Sequence, residues 1–310
     1  MNVSCYERSL NILKEAVVLP VRFPELFAGR NAWRGILLFG PSGAGKTKLV
    51  NDSIALTQNS AAVIRAHGND LVPSNCVRNG CNPESAVVDI FNEVKKTLPK
   101  PVILFIDDFE CLLNESEKIS PEACRRITTE LLVQIDDCDK QPGVSVIVAA
   151  TSKPWDICCP VRKRFDRLVY VTLPDQQTRF AIIKHEFTNF QHNLTDEFFE
   201  YLASVTERFS CSDLVMLARD ACWNSVRKLQ NSSQVQNLMK QDEKMQMNLK
   251  NTTGNPSHNQ EGRKDSLYQM LNEQSVLKCD VDDALLNMKK SVDDEEIAKF
   301  ESFNENYGQD

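Results

Sequence analysis

A chain of 310 residues with 42% hydrophobic and 25% charged side chains can bury one large core or two ordinary ones, which excludes a disordered polymer. The balance of 36 basic against 43 acidic residues leaves a net charge of −7 and argues against nucleic acid as the main partner. No apolar run approaches the length of a membrane span, so any membrane contact is expected to be indirect.

In chain order, the opening MNVSCYERSLNILKEAVVLP lacks the basic-then-apolar layout of an export signal. The 11 cysteines show no disulfide framework, so with no export signal the reduced cytosol is the expected home; the pairs Cys76/Cys81 and Cys158/Cys159 lack partners at zinc-site spacing, and metal binding through thiolates is not expected. From residue 35 to about 172, short apolar, β-branched runs alternate with helical patterns. GILLF (35–39), AAVIRA (61–66), VILFI (102–106), VSVIVAA (144–150) and LVYVTL (168–173) read as strands, and most are apolar throughout, as parallel strands covered on both faces are. The spacing predicts βαβ units and a doubly wound, five-stranded parallel sheet.

After Pro174 the pattern is helical alone. One helix turns Phe180, Ile183 and Phe187 inward, a second Phe198, Leu202 and Val205, and a third Leu214, Leu217 and Ala221. Residues 230–277 are polar enough to predict a mobile insertion. Helical periodicity returns with Val281, Ala284, Leu285 and Met288, and the chain closes on IAKFESFNENYGQD. The expected division is an α/β domain over 1–174 and a smaller helical domain over 175–310, which includes the insertion and the closing helix.

The chemistry is concentrated in GPSGAGKT, which fits the G-x-x-x-x-G-K-[ST] phosphate loop as Gly40, Pro41, Ser42, Gly43, Ala44, Gly45, Lys46 and Thr47. It follows the strand GILLF and leads into the helical KLVNDSIAL, the context in which backbone amides and a helix N-terminus surround a phosphate. The expected ligand is ATP with Mg2+. Lys46 would reach the terminal phosphates, while the Thr47 hydroxyl and Asp107, at the end of VILFID, would serve the metal. Asp108 stands where the residue that polarises the attacking water is expected. Its side chain is one methylene shorter than the usual glutamate, which predicts slow hydrolysis. Glu110 is read as the start of a loop, with a lesser claim as substitute base.

LKEAVVLPVRFPELFAGRNAWRGILLFGPSGAGKTKLV resembles the start of an AAA ATPase of the meiotic clade. CRRITTELLVQIDD, PVRKRFDRLVYVTLP, FSCSDLVMLARDACWNSVRK and SVDDEEIAKFESFNENYGQ extend the resemblance over most of the chain except about 230–277. Within the clade the likeness is greatest to the vacuolar protein sorting ATPases that disassemble ESCRT-III polymers on endosomes. Microtubule-severing katanins and spastins share many of the same blocks.

The resemblance implies a P-loop NTPase fold with a small helical lid. It also implies a hexameric ring of self or sister subunits, a protein substrate of ESCRT-III type, and a cytoplasmic location peripheral to endosomal membranes. It puts the sensor residue that helps place the lytic water at Ser152, where the family has asparagine. The two trans-acting arginines fall on Lys163 and Arg164, with Arg162 as a possible stand-in for the lysine. The serine-glycine-serine-aspartate near the adenine becomes Ser210-Cys211-Ser212-Asp213, and the pore loop becomes PSNCVRNGCNPES, which has no aromatic. The family's lead-in and its substrate-recruiting module would precede SLNILKEAV, so the reading expects either a cropped chain or a relative without that arm. Three expectations follow: a slow ATPase that remodels protein assemblies, a nucleotide-gated ring subunit with little turnover, or an ATPase that severs microtubules, from which the FPELF and WRGILLFGP wording leans away.

Overall fold

The five apolar runs form strands, β1 Gly35–Phe39, β2 Ala62–His67, β3 Val102–Asp107, β4 Ser145–Thr151 and β5 Arg167–Tyr170, in a computed structural model of the chain. The structure describes residues 5–27, 32–58, 60–71, 82, 84–98, 100–113, 121–140, 145–188, 190–230 and 275–309. All ladders are parallel, in the order β2-β3-β4-β1-β5. β5 is shorter than LVYVTL because it pairs only with β1. Once β1 ends at Phe39, a final bond from the Val171 amide to the Phe39 carbonyl at 2.8 Å closes the ladder.

Alternation along each strand divides the apolar side chains between two faces. Leu37, Phe39, Leu104, Ile106, Ile147 and Ala149 share a core with Val87 and Phe91 of the helix Ser85–Thr97 and Ile127 and Leu131 of the helix Pro121–Lys140. On the other face Ile36, Leu38, Ile103, Phe105, Val146 and Val148 pack with Leu13, Ala16 and Val17 and with Leu49 and Val50 of the helix Lys46–Leu56. Burial on both faces is why these strands read as unbroken apolar runs.

The chain divides into two units, one of residues 1–175 with 292–310, the other of 176–291. The closing helix Asp294–Tyr307 therefore belongs to the α/β unit and not to the helical domain with which it was grouped. Its amphipathic pattern could not say which core it would join. Phe300 is fully buried against the sheet, 6.1 Å from the Tyr170 ring and 5.0 Å from Trp155, and Phe303 packs edge-on to Phe39 at 5.1 Å. Phe300→Ala is expected to cost about 3–5 kcal/mol, seen as a lower urea midpoint with an unchanged slope.

The second unit comprises the helices Gln176–Phe187, Asp196–Val205, Cys211–Gln230 and Lys278–Asn287, whose core includes Ile183, Phe187, Phe199, Leu202, Leu214, Leu217, Ala221 and Val281. Phe180 packs at its margin, and Val205 is exposed rather than inward. Val276, within the stretch read as an insertion, is buried in that core and bridges to His192. Residues 231–274 lie outside the described residues, as does the pore-loop segment over 72–81.

Candidate nucleotide-binding site

β1, β3 and β4 end side by side, and the loops leaving their C-terminal ends carry the chemistry, the place where doubly wound sheets bind ligands. Gly45 caps the helix Lys46–Leu56 from the left-handed region, at φ 99°, where a side chain would be strained. A Cβ on Gly40 would come within 2.2 Å of the Val171 carbonyl oxygen. Both glycines are thus required by the path of the loop.

Within that loop the Lys46 ammonium donates to the carbonyls of Gly40, at 2.8 Å, and Pro41, at 2.9 Å. Burial lowers the lysine's pKa, against the opposing pull of Glu110, Asp107, Asp108 and Glu296. The Thr47 hydroxyl donates to Asp107 Oδ2 at 2.7 Å, which brings together two residues 60 positions apart. A hydroxyl and a carboxylate joined beside a glycine-lined loop are oxygen donors suited to Mg2+, which prefers one or two protein oxygens with the substrate's phosphates and water. The residues present fit the expected nucleotide and its metal.

Asp108 adopts the left-handed conformation, φ 50° and ψ 47°, which aspartate tolerates better than most residues. Burial, then the charges of Asp107 and Glu110, raise its pKa, while His67 and Lys46 pull it back. An acid whose folded pKa lies above its unfolded value loses stability as pH rises from the unfolded pKa through the folded one. Asp108→Asn should therefore raise the melting temperature more at pH 7 than at pH 3, where both states are protonated. Equal shifts at the two values would refute the electrostatic account.

Two further residues stand at this site, Glu110, which the sequence offered as a substitute base, and His67, which it did not single out. Glu110 lies within a short 3-10 turn, Phe109–Leu112, instead of starting a loop, and is only 6% exposed. Its Oε1 accepts from the Ser152 hydroxyl at 2.6 Å and the Ser152 amide at 3.2 Å. Burial alone would push this carboxyl up; hydrogen bonds from Ser152, the adjoining backbone and Thr151 hold it below the usual value. His67 ends β2 directly opposite Asp107 in register and acts electrostatically on Asp108. Its only sequence signal was its place at the end of a strand.

Comparison with known proteins gives the family. Residues 36–173 match the model of the ATPase family associated with various cellular activities (AAA). Vacuolar protein sorting-associated protein 4B of Pongo abelii is 31% identical over 316 residues, spanning 100% of this chain and 70% of that protein. The chain belongs to the AAA ATPase family. It is a divergent member, consistent with the meiotic clade: spastin of Anopheles gambiae is 35% identical over 240 residues, 76% of this chain and 28% of its own. A solved AAA domain of FIGL-1 in complex with ADP superposes with a TM-score of 0.73 at 24% identity, covering 97% of this chain and 88% of that one, which bears on the fold.

The remaining expected site residues of this AAA chain do not gather at the P-loop. Lys163 and Arg164 follow the short helix Cys159–Arg162, and the Arg164 carbonyl lies 2.7 Å from where a Cβ on Gly35 would stand. That is the opposite end of β1 from Gly40, roughly 15 Å away at the rise of a strand. Lys163 is exposed. Arg164 grips Asp136 with two bonds, Nε to Oδ1 at 2.5 Å and Nη2 to Oδ2 at 2.9 Å. Arg162 stacks on Tyr307 at 3.8 Å and faces Phe303 at 5.6 Å, so it is engaged with the closing helix and is not a ready substitute for Lys163.

In the helical unit the Ser210–Asp213 segment forms a reciprocal cap, in which the Ser210 amide donates to Asp213 Oδ2 at 2.9 Å and the Asp213 amide to Ser210 Oγ at 3.2 Å. The Ser291 hydroxyl also donates to Asp213, at 2.8 Å.

Proposed function

We propose that the chain binds Mg·ATP at Gly40–Thr47, hydrolyses it slowly, and uses the cycle to remodel protein assemblies in endosomal or vacuolar sorting. The supporting observation is the Thr47–Asp107 hydrogen bond beside a loop-held Lys46. In this reading the amides of the loop and Lys46 hold the β- and γ-phosphates. Thr47 and Asp107 would hold the metal, which would supply positive charge for the phosphate oxygens. Asp108 takes the proton of the attacking water, Ser152 orients that water, and Lys163 and Arg164 serve the nucleotide of an adjacent copy or sister subunit. The sorting role rests on likeness to the vacuolar protein sorting-associated relative, and an ESCRT-III-like polymer is the substrate that likeness suggests.

A second reading, a nucleotide-gated ring subunit with little turnover, gains support from the Arg164–Asp136 pair. A guanidinium held by two bonds on its own chain must leave them before it can serve another. Calorimetric titration with Mg·ATP, followed by phosphate release from the purified chain, tests both. Binding with turnover supports the hydrolase, binding without turnover supports the gated subunit, and no binding at millimolar nucleotide overturns both.

A further inference from the structure

A serine hydroxyl has one hydrogen and two lone pairs. In Ser152 that hydrogen goes to Glu110 Oε1 at 2.6 Å, and the Ser152 amide goes to the same oxygen. The other carboxylate oxygen, Oε2, is buried and takes no hydrogen bond among the described residues. Leaving a buried carboxylate half-satisfied is costly, and a catalytic role is one reason a protein retains such a group. The serine also lines a cavity of about 420 Å³ together with Ser42 of the P-loop, Lys153 and Glu296. A donor to phosphate is therefore absent where the sensor residue stands, and a fixed acceptor is present instead.

We infer that Glu110 is a positioning residue for ATP hydrolysis, acting through Ser152. By taking the only hydroxyl hydrogen, it leaves the serine oxygen as an acceptor that faces the cavity and holds one O–H of the attacking water. In the step it serves, the water oxygen bonds to the γ-phosphorus as the bond to the bridging oxygen of ADP breaks. The water's other proton passes to Asp108 and then to solvent. Two neighbouring carboxylates thus divide the work, one receiving the proton and one, through the serine, aiming the water. This rests on the hydrolase reading above.

The test is phosphate release by the full chain across a range of Mg·ATP concentrations, for wild type, Lys46→Ala, Ser152→Ala, Glu110→Leu, Glu110→Gln and the Glu110→Leu/Ser152→Ala double variant. Ser152→Ala and Glu110→Leu should each lower kcat about tenfold or more with KM within about twofold, and the double variant should be no slower than either single, because the pair acts as one unit. Glu110→Gln, which keeps an acceptor without the charge, should lose only about three- to fivefold. Multiplying losses, a glutamine variant as slow as the leucine one, or a change confined to KM would overturn the inference. Should Glu110→Leu fail to fold, Ser152→Ala against Glu110→Gln and their combination still decides it. A wild-type rate no higher than that of Lys46→Ala removes hydrolysis itself and the pair's role with it. A clear wild-type rate untouched by these variants removes the pair's role alone.

Discussion

Lys46→Ala should reduce phosphate release to the buffer level and weaken Mg·ATP binding about a hundredfold or more. The magnitude follows from the charge-assisted hydrogen bonds the ammonium can make, each worth about 1.5–3 kcal/mol where solvent is excluded, since roughly 3 kcal/mol is two decades in affinity. The lysine is prepared for this use. Its two bonds to the Gly40 and Pro41 carbonyls aim it along the loop and leave its third hydrogen for a phosphate. Burial lowers its pKa, and the charges of Glu110, Asp107, Asp108 and Glu296 offset part of that effect. Removing it leaves Asp107, Asp108 and Glu110 facing the phosphates without a counter-charge, so ADP affinity should also drop, though less. The measurement is calorimetry with both nucleotides beside a phosphate-release assay. Unchanged ATP affinity would mean that the loop does not hold the terminal phosphates.

Asp108→Glu should raise turnover about tenfold or more and lower stability by about 1 kcal/mol. Both effects come from one position. The added methylene moves the carboxylate toward the water, and a displacement of about 1 Å in a catalytic group is worth on the order of a hundredfold in rate. The backbone at this position is left-handed, which aspartate tolerates and glutamate tolerates less well. A gain in kcat with a small drop in melting temperature is therefore the expected pair of results. An unaltered rate would shift the weight to the gated-subunit reading, in which the Arg164–Asp136 contact rather than the length of residue 108 limits the cycle.

The P-loop was legible because its chemistry is local. Glycines, a lysine and a threonine at fixed spacing between a strand and a helix can form little else. β3 was equally plain, since an apolar run ending in Asp107 carries its carboxylate to the end of the sheet wherever the strand lies in the order. Glu110 was misjudged for the opposite reason. Whether a carboxylate after a strand starts a loop or turns inward depends on a partner 42 residues away, and nothing near residue 110 announces Ser152. Arg162 likewise read as a stand-in for Lys163 until the closing helix supplied aromatic rings for it.

Sequence alone determined the alternation of strands and helices, the two-sided burial of the sheet and the glycine-rich turn that joins β1 to its helix. Each follows from side-chain periodicity or from contacts between near neighbours in the chain. Tertiary structure alone decided the strand order, the assignment of the closing helix to the α/β unit, the Glu110–Ser152 bond and the Arg164–Asp136 pair. These depend on which distant surfaces meet, and an amphipathic helix or a lone carboxylate is compatible with many partners until packing selects one.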